Sequence, residues 1–177
     1  MIKVHLRILV VALGVFAAAS CGKDNPAGPD PNNPGGPITG TNCSVIVGNQ
    51  GTVTALVDGA SFSGIIPGGG GTRTANVLSL FGQSNDNTTL TITLLNPVVG
   101  ANAVGGLTGS SMLLQTRSCT AGTGLWSAIA AGSGTVTLTT LTASGATGTF
   151  TGSLVAQSGS GATGTKTITQ GTFTVTY

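Results

Sequence analysis

The chain has 177 residues and only ten charged ones, six basic and four acidic, for a net charge of +2. It holds 30 glycines, three cysteines, one histidine and no glutamate. So few cations cannot neutralise a run of phosphates, which excludes nucleic acid as a partner.

Lys3, His5 and Arg7 precede an uncharged apolar run, residues 8–19. As a helix this run would be only about 18 Å long, short of the ~30 Å hydrocarbon core of a bilayer. A basic start, a short apolar middle and small residues before a cut site predict a secretory signal over residues 1–20. Its final residues, Ala18-Ala19-Ser20-Cys21, resemble the lipobox of bacterial lipoproteins, with Ala18 where that family most often has leucine. The resemblance implies that the Cys21 thiol takes a diacylglycerol and that the peptide is cut before it. Cys21 is then the first residue of the mature protein, acylated also on its new amine. Several acyl chains hold a protein to a membrane stably where one does not. Gly22, rather than an aspartate, resembles lipoproteins sorted to the outer membrane. The alternative is a plain signal peptide with an incidental cysteine.

Residues 21–42 carry five of the seven prolines, Pro26, Pro29, Pro31, Pro34 and Pro37, among Gly, Asn and Asp. With almost nothing apolar to bury, this segment is expected to be a disordered, lipid-anchored tether. At ~3.1 Å per residue it would reach at most roughly 60 Å from the lipid surface.

Residues 43–177 suffice for one domain with a real core. Once the signal leaves, Lys23, Arg73, Arg117 and Lys166 balance Asp24, Asp30, Asp58 and Asp86. Apolar residues alternate with threonine in TLTITLL (Leu90, Ile92, Leu94), GTVTLTT (Val136, Leu138) and GTFTVTY (Phe173, Val175, Tyr177). That period of two predicts strands with one wet and one dry face, and threonine suits a pleated surface. Strands are expected at residues 52–57, 60–66, 77–84, 88–95, 110–117, 125–130, 135–143, 147–157 and 166–177. The fold class is therefore all-β, an antiparallel β-sandwich or a flattened up-and-down barrel of about nine strands.

Asp58-Gly59 is a pair that tight hairpins prefer, because both positions need positive φ, and Asn85-Asp86-Asn87 serves similarly. In the last strand Ile168 is even-numbered while Phe173, Val175 and Tyr177 are odd, so a bulge at Gln170-Gly171 is expected. The hexapeptide SGATGT occurs at residues 144–149 and 160–165. Two copies do not make a repeat protein, and the expectation is that they reuse one turn chemistry. VDGASFSG, TGTFTGSL and TITQGTFTVTY resemble the uncharacterised β-rich domains of many bacterial lipoproteins, which read as a VDG hairpin, a GTF strand and an ITNGxF ending. Gln170 stands where that family usually has asparagine. The resemblance spans residues 53–177 and implies fold and address, not an activity.

His5 leaves with the signal, so a Ser or Cys nucleophile with a histidine base is excluded, as are histidine zinc sites. Asp58 and Asp86 both sit in turns, where Asp serves the backbone, rather than as a glycosidase pair in one cleft. SNDNTT, residues 84–89, offers one carboxylate, a poor calcium site, and reads as a polar hairpin tip. PGGGGT, residues 67–72, lacks the lysine and following helix of a phosphate loop and reads as a loose connection between strands. Cys43 and Cys119 remain as an even pair in an exported chain, where disulfides persist. Joined, they would stabilise by about 4 kcal/mol in the chain-entropy model; two free thiols are the alternative. Trp126 is expected in the core rather than as an exposed platform.

No cofactor, metal or catalytic site is expected, and no enzymatic turnover. The function expected is that of a lipid-anchored cell-envelope protein, on the outer membrane, held through acylated and palmitate-labelled Cys21. Its non-catalytic domain would bind an envelope protein or glycan partner or serve structurally; the sequence leaves the oligomeric state open. The long connections at residues 64–76 and 96–109 are the expected contact sites. A carrier of a small apolar ligand in a barrel cavity is the alternative.

Overall fold

The computed structural model describes residues 51–65, 69–118, 122–129 and 131–177. The segments expected to be signal and tether, and Cys21, Cys43 and Cys119, lie outside them. The described chain is all-β. Its strands are β1 (Gly51–Val57), β2 (Ala60–Ile65), β3 (Gly69–Arg73), β4 (Val77–Gln83), β5 (Thr88–Leu95), β6 (Gly100–Val104), β7 (Ser111–Ser118), β8 (Gly122–Ser127), β9 (Ser133–Leu141), β10 (Gly145–Ala156) and β11 (Thr165–Thr176).

Nine of them form one antiparallel path, β2-β1-β11-β10-β8-β7-β5-β4-β3, while β9 pairs with β10 and β6 pairs with β9. Neighbours along the path are mostly neighbours in sequence, as in an up-and-down barrel, and the first and last strands, β1 and β11, pair with each other. Strand β10 is long enough to serve two partners. Residues 146–153 pair with β9, and Val155 and Ala156 pair with Ser127 and Trp126 of β8.

The ends of the path meet almost backbone to backbone. A Cβ on Gly64 of β2 would lie 2.5 Å from Gly82 Cα of β4, and one on Gly82 would lie 2.9 Å from Val53 Cβ. Only glycine permits such an approach. Strand β3 crosses the other layer: Gly69 abuts the Gly51 carbonyl, Gly71 abuts Val175, and Arg73 donates from Nη1 to the Thr142 carbonyl. The sheet is thus rolled into a nearly closed, flattened barrel.

Alternation fills its interior. Leu78, Leu80, Leu90, Ile92, Leu94, Met112, Leu114, Val136, Leu138, Phe150, Leu154 and Ile168 are all at most 2 % exposed. Each large aliphatic side chain withdrawn in this way contributes about 1.5–3 kcal/mol of transfer free energy. Phe150 and Phe173 face each other with ring centroids 6.4 Å apart.

The nine expected strands are present with small shifts at their ends, and the structure adds β3 and β6. Both fall in segments expected to be loops. PGGGGT is therefore not a loose connection, since residues 69–73 pair with residues 78–82. The 96–109 connection contains β6, paired with β9 from Gly100 to Val104. The two SGATGT copies also differ. Residues 145–149 of the first are strand, with Ala146 in the core, whereas residues 160–164 of the second form an irregular loop with Gly161 and Gly164 at positive φ.

The expected bulge is where the parity change placed it. Phe150 pairs with Gly171 but Gly152 with Ile168, so Thr169 and Gln170 together oppose Thr151. Gln170 has φ 51°. The Asp58-Gly59 turn has φ 49° and 83° and joins Val57 to Ala60, the geometry that its two residues predict.

Candidate functional site

The carboxylates come first because any proton-transfer chemistry would need them. Asp58, at its hairpin tip, accepts from Lys166 Nζ at Oδ2 and from the Thr167 N–H at Oδ1, both at 2.8 Å. The Lys166 hydrogen bond, then that of Thr167, holds its carboxyl below the usual carboxylate range. The Lys166 ammonium also lies 5.4 Å from the centroid of the Trp126 ring. Trp126 is 9 % exposed and donates from Nε1 to the Thr163 carbonyl at 3.1 Å, so it packs in the core with its polar edge satisfied.

Asp86 serves its own hairpin. It accepts at Oδ1 from the Ser84 hydroxyl and from the Thr88 N–H at 3.1 Å. The Ser84 bond chiefly lowers its pKa, against a partial opposing effect of burial. Asn87, next to it, takes φ 62° to close the turn. Each aspartate is engaged within its own turn or by the neighbouring strand, as side chains chosen for backbone geometry are.

The surface feature that stands out is apolar. Among the described residues the exposed large hydrophobic side chains are Leu95, Val98, Val99, Leu107 and Ile129, and Leu107 is fully exposed at 106 %. Leu95 ends β5, and the others occupy the β5–β6, β6–β7 and β8–β9 connections. Backbone contacts bring these connections together. Ser110 accepts the Gly105 N–H at its carbonyl and the Leu95 N–H at its hydroxyl, the latter at 3.1 Å, and donates its own N–H to Thr108 Oγ1 at 3.2 Å. Gly105 abuts the carbonyls of Ala128 and Gly132, and Gly109 abuts the Leu95 side chain.

These connections are built rather than loose. Asn102 accepts the Val98 N–H at Oδ1 (3.0 Å) and donates from Nδ2 to the carbonyls of Val98 (2.8 Å), Gly100 (2.9 Å) and Val136 (3.3 Å). Thr108 donates from Oγ1 to the Gly105 carbonyl at 2.9 Å, bracing the turn that carries Leu107. A braced turn presents its side chains at little further cost in conformational entropy, which favours binding.

Of the two connections expected to make contacts, 96–109 carries most of this surface. The first, 64–76, instead supplies β3 to the barrel wall. Ile129 was not anticipated as a contact residue. It lies two residues beyond Ser127, the end of β8, at the parity opposite to buried Trp126, and is 48 % exposed.

The chain matches no family model, no curated protein and no solved structure.

Proposed function

We propose that this is a lipid-anchored cell-envelope protein, sorted to the outer membrane. Acylated Cys21 and the Pro/Gly-rich tether hold a non-catalytic β domain, which binds an envelope protein or glycan partner through its apolar end. The observation that carries the binding role is the exposure of Leu95, Val98, Val99, Leu107 and Ile129 at braced connections. Large apolar side chains left exposed on a fixed backbone offer area that a partner can bury. A Cys43–Cys119 disulfide belongs to this reading, as expected of an exported pair.

The carrier reading is less favoured, because it needs interior space and the inward positions here hold large, fully buried side chains such as Phe150, Leu80 and Leu114. Capture from envelope extract tests the binding role, with the full chain as bait and Leu107→Asp/Val99→Asp as control. A partner held by the wild type and lost from the variant supports it; equal capture by both, or capture of nothing, overturns it. Palmitate labelling tests the anchor: label should enter the wild type and not Cys21→Ser.

A further inference from the structure

On the face of the barrel away from its core, threonines stand in register across neighbouring strands. One row reads Thr52 on β1, Thr174 on β11, Thr147 on β10 and Thr140 on β9, each paired with the next. A second reads Thr54, Thr172, Thr149 and Thr137 on the same four strands, and extends to Ser63 on β2 and Ala101 on β6. Their sequence neighbours Val53, Phe173, Phe150, Val136 and Leu138 point into the core, so these side chains point out. Hydroxyl pairs confirm the shared face: Thr54 to Thr172 and Thr140 to Thr147, both with Oγ1 atoms 2.8 Å apart. A third, shorter row continues with Thr151 and Thr135.

We propose that this threonine face binds ice. On β1, β11 and β10 the array repeats in two dimensions, about 4.8 Å from strand to strand and about 6.7 Å between alternate residues of one strand, while a bulge in β9 sets Thr137 and Thr140 three residues apart at its edge. Ice likewise presents its oxygens in parallel ranks with repeats of molecular size in both directions. Each threonine offers a hydroxyl that can join a water lattice and a methyl that water must enclose. Its branched side chain is stiff at χ1, so the array is set before ice arrives.

The partner class follows from desolvation. An ordinary partner would strip water from every hydroxyl in both rows, and each new hydrogen bond would return little net free energy. Ice leaves the hydroxyls bonded to water. No charged residue stands in either row, and neither does an aromatic ring on which a sugar could stack. The face adjoins the apolar surface only at Val98 and Val99, beside Ala101 on β6, and its role goes beyond the partner binding proposed there.

The test uses the full chain in lipid nanodiscs, with empty nanodiscs as the baseline. Uptake into a slowly growing ice hemisphere and the shape of single crystals near the melting point are measured. The wild type should enter the ice and facet crystals, as should Thr72→Lys on the exposed part of β3. Thr149→Lys/Thr172→Lys, in the middle of the array, should lose both effects while its circular dichroism is unchanged. Should that pair fail to fold, Thr137→Lys replaces it, a single substitution nearer the edge of the array. Wild-type uptake no greater than that of empty nanodiscs, or equal uptake by a folded variant, overturns the proposal. So does retention on crystalline cellulose or chitin that the same variants lose, without uptake into ice, which would assign the face to a glycan.

Discussion

Asp58 and Lys166, 108 residues apart in sequence, meet at 2.8 Å where the first hairpin reaches the start of the last strand. The pair is partly exposed, at 42 % and 32 % for the two side chains, so it is worth only about 0.2–1 kcal/mol. Because the carboxyl is held below its unfolded value, its stabilisation is present above about pH 3.9, the ordinary Asp pKa, and is lost as pH falls through the lowered one. Asp58→Asn keeps an acceptor for the Thr167 N–H and a residue that tolerates positive φ. Unfolding midpoints from pH 7 down to pH 2 should therefore show a variant slightly less stable than wild type at neutral pH, with the difference closing in acid.

Gln170 pays a backbone penalty that asparagine or glycine would reduce. It holds φ 51° at the bulge, a conformation that glycine adopts without a Cβ clash. Gln170→Gly is expected to stabilise by about 0.5–1 kcal/mol, read as a higher denaturant midpoint. Gly171→Ala should do the reverse, because its Cβ would lie 2.5 Å from both the ring and the carbonyl oxygen of Phe150.

Phe150 sits in the core facing Phe173, on a strand that bonds β11 on one side and β9 on the other. At 2 % exposure its truncation leaves a cavity that the surrounding strands can only partly close. Phe150→Ala should cost about 3–5 kcal/mol, measured by chemical denaturation. A loss below about 1 kcal/mol would mean that this core is far less close-packed than described.

Asn102 is a local brace, so its removal should act locally. In Asn102→Ala the Val98 and Gly100 carbonyls and the Val98 N–H lose their side-chain partner. Hydrogen exchange is expected to speed up across residues 96–104 and stay unchanged in β4 and β5. Leu107→Asp is the complementary probe. At a fully exposed site it should move global stability by no more than about 0.5 kcal/mol, yet abolish partner capture.

Shortening residues 64–76 to a tight turn, which the sequence alone presents as harmless, should unfold the barrel. It would remove β3, the strand whose glycines pack on Gly51 and Val175. Thermal melts of the full chain measure the effect, and a cooperative transition at the wild-type temperature is the contrary result.

The sequence by itself determined the class of fold, because a period of two in apolar residues such as Leu90, Ile92 and Leu94 has only one structural meaning. It also determined the local devices that one or two residues enforce: the positive-φ turn at Asp58-Gly59 and the bulge at Gln170-Gly171, where the parity of the core residues changes. Tertiary structure decided what has no local signature. Strand β3 reads GGGTR and β6 reads GANAV, with no alternating apolar pattern, and they are strands because neighbouring strands offer them hydrogen bonds. The apolar end could not be read from one segment, since Leu95, Leu107 and Ile129 come together only when three connections meet around Ser110 and Gly105. SGATGT makes the division plain. One copy becomes strand because Leu141, Thr140 and Val175 are there to pair with it, and the other stays an irregular loop where glycines take positive φ. Backbone hydrogen bonds are supplied by whatever chain lies alongside, and only the folded barrel fixes which chain that is.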